Sequence, residues 1–509
     1  MYRNLLIVLA AVFVIALPFL FRQKKAEGQW REGDPVLVVI TPHIAAIREE
    51  FGAAFSEWHR VHYATPVKVD WRALGGTTEI MRYLKAEYEV SDTCKMDVFF
   101  GGGTYDHALA EHQNLTEPTW AEGEEPTEVI NLDQLPLMMG GEIWRGKNYF
   151  SAALSVFGIC YNPDRLEDIG ITTPPAMWND LTDPRYVGTL GVADPTKSGS
   201  IAKAFELIVH TGCSKAVAEA GFTKDDIRRL EKIIKDEGLP TEDEEKNEEL
   251  TRYQAAIEKG WLDGLWTVQL IGANARYFTD SAGKVPVDVS SGDAAAGLAI
   301  DFYGRVQAEA TGGRLIFVAP IGGTSVSGDP ISVLRNPPNK ELAQRFVKFV
   351  MGTEGQKLWN FRVGTEGGPH TYALRRLPAR REFYEEGNPF ISYTSDDLMA
   401  PDVNAFHLAK EFEYVSRWTG AHFGVFRLLV RSMCMDAGEE LRDAWREIIK
   451  AGGAEQNPEA MAQLCQLPEG FTWSTAASFG KGDTLETSRA WTIFFRESYG
   501  KARRLVVRD

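Results

Sequence analysis

A repeated order constrains this sequence most: an apolar β run, a short loop of small polar residues, then apolar residues at helical spacing. It opens in DPVLVVITPHIAAIREEFGAAFSEWH. There Val36–Ile40 reads as a strand and Thr41-Pro42-His43 as a tight loop, with Ile44, Ile47, Phe51 and Phe55 on one helical face. PVKVDWRAL followed by TTEIMRYLKAEY repeats the unit, and MDVFFGG followed by TYDHALAEH repeats it again. Such alternation builds a mostly parallel sheet covered on both faces, so the fold class is α/β. A second stretch starts near FSAALSVFGICYNPDRL and runs to RLIFVAPIGG, residues 314–323. The segments FSAALSVFGICYN and RLIFVAPIGG are the expected crossings between two lobes. Past about residue 385 the character is helical, clearest in AGEELRDAWREIIKAGG, where Leu441, Trp445, Ile448 and Ile449 share a face. No Gly/Ser linker precedes this tail. Its many aromatics rule out a disordered appendage, so it is expected to pack as helices against the lobes.

At 509 residues the chain exceeds one ordinary core, and two or more domains are expected. The net charge of −16 argues against a nucleic-acid partner, because phosphate backbones demand a surplus of Lys and Arg. Two acidic runs, EGEEP and EDEEKNEE, read as solvated surface. Five scattered cysteines without CxxC or zinc spacing leave at least one thiol free and give no sequence basis for choosing pairs.

Leu5–Phe21 is a nearly continuous apolar run of about 17 residues, the short end of what spans a bilayer. Arg3 precedes it and RQKK follows. The small residues of a signal-peptidase site are absent directly after it, which favours an uncleaved signal anchor over residues 1–25. The heavier positive charge after the run favours the opposite orientation. A large domain can nevertheless be translocated, and an extracytoplasmic body tethered to the inner membrane is the expectation.

No GxSxG, HExxH or P-loop occurs, and GGGTYD lacks the spacing of a dinucleotide loop, so no enzyme activity and no cofactor are expected. What recurs is a small polar loop between a strand end and the next helix: Thr41–His43, Gly101–Thr104 with Gly103 at its turn, and Asp194–Ser200. Ligands of open α/β sheets sit outside these strand ends, where helix N-termini suit an anion. Ordinary capping by Ser198 or Ser200 is the competing role.

FSAALSVFGICYNPDRLEDIGITTPPAMWNDLTDPRYVGTLGVADPTKSGS resembles the type 2 periplasmic solute-binding proteins of ABC importers, in the iron(III)-transport-like group. The likeness covers roughly residues 34–380 and implies two lobes that close on a hinge. One lobe would comprise 34–149 and 314–380 and the other 150–313, with 385–509 as a helical C-terminal extension. It further implies ligand contacts from His43, Ser198, Gly199, Ser200, Asp301 and Tyr303, to which the loop pattern adds Gly103 and Thr104. An ABC permease is the implied partner and a small anionic solute, phosphorylated organic anions included, the implied ligand. A ferric-ion receptor is the alternative, with His43, Glu79 and Tyr303 as metal ligands. Phe302 stands where such relatives carry a second tyrosine and cannot donate an oxygen to a hard cation. A sensory module or an enzyme grown on the same scaffold is the second alternative.

Overall fold

A computed structural model describes residues 30–120, 131–238, 244–480 and 484–507. The expected anchor run Leu5–Phe21 and the acidic run at 122–126 lie outside the described residues. No helix among those described is long and apolar enough to cross a membrane.

The first strands are β1 (Val36–Ile40), β2 (Lys68–Arg72), β3 (Val98–Phe100) and the short β4 (Thr116–Glu117). A small hairpin follows, β5 (Met138–Met139) with β6 (Glu142–Ile143), and then the long β7 (Tyr149–Tyr161). The rest are β8 (Leu190–Ala193), β9 (Ala275–Thr279), β10 (Ala296–Ile300), β11 (Ile316–Val318), β12 (Val326–Leu334) and β13 (Leu377–Pro378). Two lobes share β7. Its residues 149–156 pair antiparallel with β12, which continues the parallel set β3, β1 and β2. Its residues 157–161 pair with β10, which continues through β8 to β9. Every residue of β7 is buried, so the join runs through the interior of both lobes.

The second crossing differs from the sequence reading. RLIFVAPIGG holds only β11, which pairs with Ile159–Tyr161 in lobe 2. The chain changes lobes after it, and β12 is the strand that carries it into lobe 1. The loop between them is fastened: Trp178 Nε1 donates to the Gly323 carbonyl at 2.6 Å and the Phe157 N–H to Thr324 Oγ1 at 3.2 Å.

Packing explains the elements. The helix Ala45–Tyr63 buries Ile47, Phe51, Phe55 and His59 at four-residue spacing, and Phe51 and Phe55 meet Phe349 and Phe346 of the helix Lys340–Met351. In lobe 2 the helix Gly199–Glu219 lies against the long helix Glu244–Asn274. Glycine is required at their contact, since a β-carbon on Gly212 would come within 2.3 Å of the Gly260 carbonyl. All five cysteines are free and buried.

The tail is helical and packed, and the Gly438–Lys450 helix buries Leu441, Trp445 and Ile448 as its periodicity implies. Ala405, Phe406, Leu408 and Ala409 join the lobe 1 core. From Phe412 onward nearly all the buried apolar residues belong to the core of lobe 2, Phe423 and Cys465 being the exceptions.

Candidate ligand-binding site

Strand polarity makes the site. In lobe 1, β1, β2 and β3 run parallel, and in lobe 2 β10, β8 and β9 do so. Residues following the C-terminal ends of all six line one cavity of about 580 Å³ between the lobes. Lobe 1 contributes His43, Thr77, Gly103 and Thr104, and lobe 2 contributes Ser198, Gly199, Ser200 and Tyr303. The lobes touch at its edge: a β-carbon on Gly76 would lie 3.0 Å from the Lys197 carbonyl, and one on Gly199 would lie 3.3 Å from Thr77 Oγ1. Two long helices, Thr77–Val90 and Gly199–Glu219, therefore start close together at the cavity. Their first-turn N–H groups have no partner within the helix and carry the positive end of its dipole.

Most of the residues expected from the sequence meet here. Ser198 does cap its helix, accepting from the Ile201 N–H at 3.3 Å, and its hydroxyl lies 3.0 Å from that of Ser200, so capping and cavity lining coexist. Asp301 does not line the cavity. It is fully buried, with Oδ1 accepting from the Phe302 N–H and burial pushing its carboxyl up to about 6. Glu79 does not line it either; its side chain packs near Gly75 and Gly76 in the same chain turn.

The structure adds charged groups that no motif announced. Asp329, on β12, forms a buried pair with Arg376, and His43 Nε2 lies 3.2 Å from the same carboxylate oxygen. Burial alone would raise the Asp329 carboxyl, but Arg376 and His43 outweigh it and hold it well below the usual range. Burial lowers His43 against the pull of Asp329. Phe302 has a place in this arrangement, its ring centroid 4.5 Å from the Arg376 guanidinium.

A second network joins three parts of the chain. Lys203 of lobe 2 lies 2.8 Å from Glu142 on β6 and 2.9 Å from Glu206. The tail adds Tyr414, whose hydroxyl donates to Glu206 at 2.5 Å, and Thr419, which donates to it at 2.9 Å. Burial disfavours the Lys203 charge, yet the two carboxylates hold its pKa well above the ordinary value. Arg427, also from the tail, lines the cavity as well. Signals for these residues are faint in sequence. Asp329 is a charge inside the apolar VSGDPISVL and Arg376 sits within LRRLPARR, while Tyr414 and Arg427 carry no motif.

Lys203 and Arg376 are each paired with carboxylates at the cavity, and two helix starts border it.

Residues 132–357 match the family described as bacterial extracellular solute-binding protein. An uncharacterized protein of Haemophilus influenzae is 23% identical over 276 residues, 54% of this chain. The match spans 64% of that relative's length, just under two thirds. Among solved structures, the periplasmic binding protein AfuA from Actinobacillus pleuropneumoniae, with fructose-6-phosphate bound, is similar at 20% identity. It covers 64% of this chain and 81% of its own, with a TM-score of 0.43. Iron-bound HitA from Pseudomonas aeruginosa is similar at 15% identity, covering 78% and 99%, with a TM-score of 0.49.

Proposed function

We propose that this chain, whose residues 132–357 match the bacterial extracellular solute-binding family, is the receptor of an ABC importer that captures a small anionic solute between its lobes and delivers it to a membrane permease. Phosphorylated organic anions fall within that class. The observation that carries this reading is the cavity itself, set at the C-terminal strand ends of two sheets that share β7. Opening would rotate the lobes about β7 and the loop between β11 and β12, and it would have to part the Lys203–Glu142 pair and the Arg427–Thr78 contact. Two helix starts offer N–H donors to the anion, and Ser198 and Ser200 add hydroxyls. The apolar run Leu5–Phe21 would hold the receptor on the outer face of the inner membrane.

Ferric ion suits the site less well as cargo. His43 is already engaged by Asp329, and the Arg376 guanidinium stands beside both, a fixed positive charge where a trivalent cation would have to enter. Glu79 is outside the lining, which leaves His43 and Tyr303 as its only expected donors within it.

A thermal-shift panel tests the reading with inorganic phosphate, hexose monophosphates, dicarboxylates and ferric citrate as probes. An anion supplied at a hundredfold excess over its Kd should stabilise the protein by about 2.7 kcal/mol. Replacing Ser198 and Ser200 by Ala should weaken that anion by about 1–3 kcal/mol. Stabilisation by ferric ion with none by any organic or inorganic anion would contradict it.

A further inference from the structure

The tail does more than cover lobe 2. Phe423–Val430 is a helix lying beyond the segment matched by the family, and its Arg427 reaches the cavity. One guanidinium nitrogen, Nη1, donates to Thr78 Oγ1 of lobe 1 at 3.0 Å. The other two, Nε and Nη2, are buried and have no hydrogen-bond partner. Two buried guanidinium nitrogens without a partner are costly even in a half-buried side chain, and a role limited to tying the tail to lobe 1 needs only Nη1. The Phe423 ring, 4.7 Å from the guanidinium carbon, supports the group from its own helix.

Position indicates what would satisfy those nitrogens. A β-carbon built on Gly199 would lie 3.9 Å from Arg427 Nη2 and 3.3 Å from Thr77 Oγ1. Arg427, Thr77 and the first turn of the Gly199–Glu219 helix thus border one small region of the cavity. Asp106 is the nearby carboxylate: burial raises its pKa, and the Arg427 charge opposes that, followed by a hydrogen bond from Thr77. No ion pair joins Arg427 to a carboxylate among the described residues, whereas Lys203 and Arg376 are both paired. The guanidinium also presents its donors as a planar fork suited to two oxygens of one anion.

We propose that Arg427 is a ligand-contacting residue that clamps the oxyanion of the solute against the start of the Gly199–Glu219 helix, so that the tail completes the binding site. This rests on the anionic reading of the cleft and adds to it a specificity-determining group from outside the matched segment. The full-length protein, dialysed and titrated by calorimetry with inorganic phosphate and with a hexose monophosphate, tests it. Arg427→Gln should weaken the anion that wild type binds by at least about tenfold, and Arg427→Lys, which keeps the charge but loses the fork, by several-fold. Thr78→Val removes only the tie to lobe 1 and should stay within about threefold. If Arg427→Gln destabilises the fold, Arg427→Lys carries the test. Wild-type affinity in either folded variant would overturn the clamp while leaving the anionic reading intact. A wild-type protein that binds neither probe would overturn both.

Discussion

Lobe 1 takes only the first part of the C-terminal tail into its core, whereas lobe 2 is built around the rest. On the lobe 1 side the tail places one seven-residue helix, Ala405–Glu411, against the core. It then adds edge contacts: the Tyr414 N–H to the Gly140 carbonyl, Phe423 on Tyr105, and Arg427 on Thr78. On the lobe 2 side Trp418, Phe426, Leu429, Met433, Trp445, Phe495 and Tyr499 share one core with the sheet and the two long helices. Polar groups lock that layer down. Trp445 Nε1 donates to Asn274 at 2.9 Å, and Gln269 donates both to the Leu464 carbonyl and to Tyr499, each at 2.8 Å. The difference teaches that the tail is a structural layer of one lobe that reaches over to the other.

The largest expected effect follows directly. Deleting residues 412–509 should leave no folded protein, because it strips the lobe 2 core of a whole side; expression and circular dichroism check this. A soluble, cooperatively melting 34–411 product would break the comparison by showing lobe 2 to be complete alone. Next in size is the junction at Lys203. Lys203→Met leaves Glu142 and Glu206 buried without their shared cation and should cost about 3–5 kcal/mol in chemical denaturation. A loss near zero would mean that the three-part network does not hold the lobes and tail together.

A smaller effect depends on pH. The Asp301 carboxyl is pushed up to about 6 by burial, above its unfolded value, so the stability linked to its protonation is full at low pH. It is lost as pH rises through about 6. Relative to wild type, Asp301→Asn should therefore gain about 2–3 kcal/mol between pH 4 and pH 7.5, read from denaturation midpoints. An unchanged difference across that range would show that Asp301 is solvated and belongs to the cleft after all.

Much of this was legible in sequence, for identifiable reasons. The strand–loop–helix units announced themselves by periodicity, and those same loops brought His43, Gly103, Thr104, Ser198, Gly199 and Ser200 to one cavity. Local pattern was enough because each loop leaves its own strand end. Asp301 departs from the expectation because facing inward or outward at the start of a helix depends on how that helix packs, and its side chain turns into the protein beside Arg305 and Arg376. The crossing falls one strand later than the pattern implies because RLIFVAPIGG and VSGDPISVL are both apolar runs, and only pairing with different halves of β7 separates them. Lys203, Glu142, Tyr414 and Arg427 stand far apart in the chain, and their meeting is a product of tertiary packing that no spacing encodes.

The central claim is that the space enclosed by the two lobes and the tail holds a small anion. The most direct measurement is a native mass spectrum of the gently purified full-length protein, followed by identification of whatever dissociates on activation. The account predicts a small anionic molecule in one-to-one ratio, retained by wild type and depleted in Arg427→Gln. A ferric ion released from the wild-type protein, or a cationic solute in that place, would contradict it.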